Sequence, residues 1–277
     1  MASGGCRRAF ADIGHGQIHY RHAGDLAGPG RPLLMLHGGP GSSQGLVPLM
    51  AMLAERGTAI VAPDMMGNGD SDPPPGQPDM PFYVSCLTML LDALHIDRID
   101  CYGHHFGAQL ACELAIHAPQ RVGRLVLDGL GLFSAEERAL FRDRYAPVLE
   151  ADADGRHLDW LWAFLSNTTI RFPHYSDRPE DGMPGGAALP PPLLTDIFAG
   201  VARNWRTYHF SYRVGFEQDV ADRLPQIRHK ALILAVAGDP LARYAVLAAA
   251  LMPNVRVAEI DRAGRADAIL SMIDDAP

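Results

Sequence analysis

A chain of 277 residues, 48% of them hydrophobic and with a formal net charge of −8, can bury one sizeable α/β core and lacks the positive field of a polyanion-binding protein. Lys230 is the sole lysine and no basic block of the size a phosphate backbone demands occurs, so no nucleic acid is expected as partner. The opening "MASGGCRRAFADIGHGQ" has no apolar stretch after its arginines, and no run reaches membrane-spanning length; the expectation is a soluble cytoplasmic protein without membrane contact, a monomer or homodimer.

In chain order, "QIHYRH" (17–22) has period-two character, and "PLLML" (32–36), "TAIVAP" (58–63), "IDCY" (99–102) and "RLVLD" (124–128) are short apolar runs. Helical patterns lie between them near 45–56, 82–94 and 107–118. Apolar runs without polar alternation predict strands covered on both faces, hence a parallel sheet with crossover helices. From Ser134 to Ala221 the pattern changes to helical, aromatic-rich segments around the irregular "FPHYSDRPEDGMPGGAALPPP". Strands resume at "KALILAVAG" (230–238) and "VRVAEI" (255–260), with a helix near 241–251 between them. The expected organisation is a core of 1–133 and 222–277 with a helical lid, 134–221, over the C-terminal edge of the sheet, where open α/β sheets bind ligands. Cys6, Cys86, Cys101 and Cys112 have no metal-ligand spacing and read as free thiols.

Three glycine-rich turns follow three of the strands: "LMLHGGPGSS" (34–43), "PDMMGNGDSDPP" (63–74) and "GHHFG" (103–107). A strand that turns directly into a helix needs small residues beside the apex, a demand that Gly103 and Gly107 meet, and it forces the apex residue, His105, toward positive φ. Histidine is among the few types other than glycine that tolerate this.

These turns, in this order and spacing, resemble the α/β-hydrolase fold. The first is similar to the His-Gly-Gly-Pro-Gly loop of proline iminopeptidase-like members, here His37, Gly38, Gly39, Pro40 and Gly41. The second resembles the superfamily's Asp-x-x-Gly-x-Gly-x-Ser turn, which begins at Asp64, and the third its nucleophile elbow. The resemblance covers 16–133 and, more weakly, 222–265. It implies a mostly parallel sheet with helices on both faces, an inserted lid, and an oxyanion hole made by the N–H groups of Gly39 and Phe106. His37 would brace the loop, and Asp64 would accept backbone N–H bonds in its turn.

Measured against that family, the chain departs at every triad position. His105 stands at the nucleophile's place, Arg265 in "DRAGRADA" where the relay histidine belongs, and Leu241 four residues into "GDPL" at the usual acid position; Asp239, two residues earlier, is not taken as its replacement. No histidine follows His229. His105 at a helix N-terminus is expected to be neutral at pH 7 and to act as a general base. Asp128, which ends "RLVLD", has two readings: a partner to His105, in the place where certain haloalkane dehalogenases carry their acid, or a cap on the turn "DGLG". His104 is expected to pack beneath the elbow or to touch substrate. The neighbouring imidazoles do not predict a metal, because adjacent side chains at a tight turn should diverge and no third ligand is near in sequence. From the lid, His209, Trp205 and Trp160 are candidates to line the pocket.

Two functions of different class remain open. One is a cofactor-free enzyme with His105 as base, acting on a small, partly apolar carbonyl compound by elimination, C–C cleavage or decarboxylation, isomerisation, cyclisation or atypical hydrolysis. The other is a catalytically inactive relative that uses the pocket to bind a small molecule or a protein. Dinucleotide binding is disfavoured, because "HGGPGSS" lacks the Gly-x-Gly-x-x-Gly spacing.

Overall fold

The structure, a computed structural model, describes residues 5–274. Eight strands form one sheet: β1 (Arg7–Asp12), β2 (Gln17–Ala23), β3 (Leu33–Leu36), β4 (Ile60–Pro63), β5 (Ile99–His104), β6 (Val122–Asp128), β7 (Lys230–Val236) and β8 (Val255–Ile260). Their spatial order is β1-β2-β4-β3-β5-β6-β7-β8. The pairings of β1 with β2 and of β2 with β4 are antiparallel, and the others parallel. Strands β3 and β4 are buried along their whole length, as their uninterrupted apolar sequences require of strands covered on both faces. The strand that sequence reading missed, β1, lies at the sheet edge, and four of its six residues are exposed. "RRAFAD" therefore carries little of the burial pattern by which a strand is read.

Helices α1 (Val47–Ala54) and α10 (Arg265–Ile273) contribute to the apolar cluster on one face; α2 (Met80–Ala93), α3 (Phe106–His117) and α9 (Ala245–Ala250) contribute to the cluster on the other. Local signals explain where several begin. Asp79 caps α2 by accepting from the Phe82 amide, and Ser134 with Glu137 forms a capping box on α4 (Ala135–Arg144).

Between β6 and β7 the chain leaves the sheet for α4, α5 (Arg156–Asn167), α6 (Pro191–Arg203), α7 (Phe210–Glu217) and the short α8 (Val220–Arg223). This insert holds a cluster of its own, centred on Phe141, Tyr145, Leu161, Phe164 and Tyr208. Its later part is anchored to the sheet domain, since Val214 and Val220 join the cluster that includes Phe106 and Leu110. No helix among the described residues is long and apolar enough to cross a membrane.

Candidate active site

The elbow has the sterics that its sequence demands. A Cβ on Gly103 would strike the Gly107 carbonyl, and one on Gly107 would strike the carbonyls of Leu36 and His37, so α3 crosses directly over the end of β3. His105, at the apex, has a φ of +50°. Its ring projects into a cavity of about 430 Å³ bounded by the ends of β5 and β7, the Gly39–Pro40 loop, α3 and the insert.

Within that cavity His105 Nε2 lies 2.8 Å from Asp239 Oδ2. The sequence left Asp128 as either a partner to His105 or a cap on its turn and, with Leu241 at the acid position, did not take Asp239 as a replacement; in the structure it is Asp239 that meets the ring. Gly238 adopts a φ of +82° and turns the chain as soon as β7 ends, which brings the carboxylate of Asp239 to the cavity two residues earlier. Leu241 instead donates its amide N–H to Asp239 Oδ1 at 2.8 Å. Gly129, with a φ of +78°, lies against the His105 ring, where a Cβ would collide with it.

Asp128 serves other partners. Fully buried, it accepts from the Tyr102 hydroxyl at 2.7 Å and from Arg265 Nε at 2.8 Å, and its contact with His105 runs through the backbone, from the His105 amide to the Asp128 carbonyl. It caps neither the ring nor the turn "DGLG". Arg265 opens α10 and also lines the cavity. The Asp128–Arg265 pair thus places an arginine at the position where the resemblance expects the relay histidine.

The electrostatics follow from these pairings. Burial disfavours a charge on the His105 ring, but the bonded Asp239 carboxylate and the nearby Asp128 outweigh burial and the repulsion from Arg265, and hold its pKa above the ordinary 6.5. The expectation of a lowered, neutral imidazole considered only the helix N-terminus behind it, and the carboxylate in contact reverses the sign. Burial raises Asp239, yet its bond to His105 and the charge there dominate, and its pKa falls well below the usual carboxylate range. His104 moves the other way, pushed down to about 4 by burial and by the neighbouring His105. With Asp239 accepting from Nε2, the His105 nitrogen left to exchange a proton is Nδ1.

The two imidazoles stack, with centroids 3.9 Å apart and planes 18° apart, and His104 Nε2 lies 4.0 Å from Asp239. They do not diverge as the sequence argument supposed, and Asp239 is a third potential ligand close by. Even so, the stacked rings suit a shared metal poorly. Nearly parallel rings aim their lone pairs side by side, whereas an ion about 2.0–2.1 Å from each nitrogen must lie in both ring planes.

Gly39 and Phe106 both line the cavity, and Phe106 as the first residue of α3 has an amide with no intrahelical partner. His37 braces the loop from below, with Nδ1 against the Gly38 carbonyl at 2.9 Å and Nε2 accepting from the Met65 amide at 3.1 Å. Asp64 accepts from the amides of Ser43 and Asp70 and contacts the His19 ring; these contacts outweigh its burial and lower its pKa to about 2. Gly38, Pro40 and Gly41 shape the same loop, with Pro40 at the cavity and the Gly41 amide donating to the Gly38 carbonyl.

The lid candidates lie elsewhere. Trp160 stacks on Phe164 in the insert's own cluster, Trp205 packs against His157 and beneath Arg206, and His209 precedes α7 outside the cavity lining without a side-chain capping bond, its pKa pushed down to about 4 by burial and Arg213. Residues 211, 212, 215 and 216 line the cavity instead, the i, i+1, i+4, i+5 face of α7. With Phe133, Tyr145 and Phe172 they make its wall largely aromatic. That helical spacing in "FSYRVGFE" is the signal that could have found them. Gln109 is a further lining residue, and its Oε1 is buried with no partner among the described residues.

The family model described as "alpha/beta hydrolase fold" matches residues 31–270. A 2-hydroxymuconate semialdehyde hydrolase from Pseudomonas putida is 40% identical over 104 residues, 37% of each chain. A proline iminopeptidase from Clostridium botulinum is 31% identical over 148 residues, 50% of this chain and 48% of that one. The chain therefore spans less than half the length of these relatives. A solved hydrolase structure from Pseudomonas aeruginosa superimposes with a TM-score of 0.73 at 23% identity, covering 98% of this chain and 99% of the other, which shows the shared fold.

Proposed function

We propose that this chain, which belongs to the α/β-hydrolase fold family, is an enzyme that transfers a proton at a small, partly apolar carbonyl substrate, with His105 and Asp239 as its proton-transfer pair. The observation that carries this reading is the 2.8 Å contact between His105 Nε2 and Asp239 Oδ2 in the wall of the cavity. Asp239 fixes the tautomer and raises the basicity of Nδ1, the roles a carboxylate plays toward a working imidazole. In the forward step Nδ1 takes a proton from the substrate or from a water held against it. The negative charge that develops on the carbonyl oxygen falls to the amides of Gly39 and Phe106, and the proton then returns from Nδ1 to the leaving carbon or oxygen. The aromatic wall supports a substrate with an apolar side, and the helical insert over the cavity acts as its lid.

Elimination, C–C cleavage, isomerisation and general-base hydrolysis share this proton economy. A panel of p-nitrophenyl acetate, p-nitrophenyl butyrate and 2-hydroxymuconate semialdehyde separates ester hydrolysis from C–C cleavage. His105→Ala is expected to lower kcat/KM on whichever compound the enzyme turns over by about 10²–10⁴, with the fold retained by circular dichroism. Undiminished turnover in that variant would remove His105 as the base. Saturable binding of a panel compound with no turnover, by wild type and variant alike, would establish the ligand-binding relative instead.

A further inference from the structure

The second residue of α7, Ser211, is 1% exposed and lines the cavity, yet its hydroxyl has no hydrogen-bond partner among the described residues. Desolvating a hydroxyl without giving it a partner is destabilising, so a buried one that faces a cavity calls for a ligand. Its position identifies the ligand atom. A Cβ on residue 39 would run into Ser211 Oγ, so the hydroxyl sits directly against Gly39. A Cβ stands about 2.5 Å from its own amide nitrogen. Ser211 Oγ, which overlaps that position, is therefore within roughly 5 Å of the Gly39 N–H, the separation of two donors that share one oxygen at about 2.8 Å from each. The next residue holds the geometry, since the Tyr212 hydroxyl donates to the Gly39 carbonyl at 2.7 Å.

We propose that Ser211 is a catalytic residue that donates its hydroxyl hydrogen to the substrate oxygen on which negative charge develops, as a third donor beside the amides of Gly39 and Phe106. The inference rests on the oxyanion reading above and extends it. One donor comes from the insert, so charge stabilisation requires α7 to be docked on the loop. Ser211 forms no bond to carbon; it holds the charge, and His105 moves the proton. The arrangement also explains the glycine at 39, where any side chain would displace the donor.

The test uses p-nitrophenolate, an oxyanion whose absorbance differs from that of its conjugate phenol, so that affinities for both forms are measured without turnover. Wild type should bind the phenolate more tightly than the neutral phenol. Ser211→Ala should weaken phenolate binding about tenfold or more while leaving the phenol unchanged, and it should do the same in a His105→Ala background, where the imidazole no longer attracts the anion. A parallel loss of both forms would make Ser211 a packing residue, and an unchanged phenolate affinity would remove it from the site; either result overturns the proposal while His105 and Asp239 keep their role. No preference for phenolate in wild type would overturn the oxyanion reading, and this inference with it. Alanine is a good helix former, so thermal unfolding near that of wild type is expected to accompany the loss.

Discussion

The floor of the cavity, at the ends of β5 and β7 with the Asp128–Arg265 pair beside them, and its wall on the insert handle polarity in different ways. On the floor, charged groups are matched within hydrogen-bond distance: His105 with Asp239, and Arg265 with Asp128, which also receives Tyr102. On the insert, aromatic rings predominate, Tyr145, Phe172, Tyr212 and Phe216 among them, and Ser211 Oγ is left without a partner. A floor of fixed charges is preorganised before substrate arrives, while an aromatic wall whose Ser211 hydroxyl is open takes its electrostatic meaning from the ligand. Under the proposed function this difference becomes a division of labour: the sheet would supply proton transfer, and the insert shape and a contact to developing charge. The difference also yields experiments that break the floor and the wall separately.

The largest effect on stability is expected from the second floor pair. Asp128 is fully buried, and Arg265→Met strands its charge; breaking a buried pair from one side costs about 3–5 kcal/mol. Urea unfolding should show that loss in the single variant and recover most of it when Asp128→Asn is added, because a neutral amide no longer needs the cation. A single variant as stable as wild type would mean that Asp128 does not depend on Arg265, and the floor would not be the closed electrostatic unit described.

Asp239→Asn should be milder for the fold and direct for chemistry. It removes the group that raises the His105 pKa, and loss of such an orienting partner costs on the order of 10–100-fold in activity. The sign of the pH effect is fixed. A base works when deprotonated, so wild-type activity should rise with pH through a midpoint above 6.5, and the variant's midpoint should fall. Stability moves oppositely for the two members. The raised His105 contributes stability below 6.5 that is lost as pH rises through its folded value; the lowered Asp239 contributes above 3.8 and loses it as pH falls toward its folded value. The pair is therefore most stabilising between those ordinary values. A pH–activity curve that does not move in Asp239→Asn would separate His105 from its carboxylate.

Much of the floor was legible in the sequence and little of the wall was. Gly103 and Gly107 are held by backbone collisions, and Gly38, Gly39 and Gly41 by close approach of the His104 ring, the Ser211 hydroxyl and the Gly38 carbonyl, which allow few residue types and so leave a readable pattern. The position of His105 followed from that pattern, while the bracing role of His37 came only from the family resemblance. Asp239 was on the page but two residues away from the position assigned to the acid, because one positive-φ glycine shortens a turn without changing its composition. Pairing Asp128 with Arg265 needed the distance between β6 and α10, which no local pattern encodes. Trp160, Trp205 and His209 were sought at the cavity because of their chemistry, yet which face of a helix meets a cavity is set by how the insert docks. Many aromatic arrangements satisfy that docking, so the sequence constrains it weakly.

The smallest expected effect tests the joint between floor and wall. Tyr212 donates its hydroxyl to the Gly39 carbonyl at 2.7 Å, and Thr207 and Asn204 tie the start of the same region to the carbonyls of Gly67 and Gly69. Tyr212→Phe keeps the ring and its stacking on Phe216 while deleting one bond, a change of about 0.5–1.5 kcal/mol. If that bond only anchors the insert, the loss should appear as a lower unfolding midpoint with kcat unchanged. If it also holds Gly39 in register with Ser211, kcat should fall several-fold while KM stays level, because the position of the donors matters most when charge has developed on the substrate oxygen. The same variant combined with Ser211→Ala should then lose less than the two effects added, since a donor that is absent cannot be misplaced. Full additivity would show that the tyrosine and the serine act independently, and that the insert's grip on the loop plays no part in catalysis.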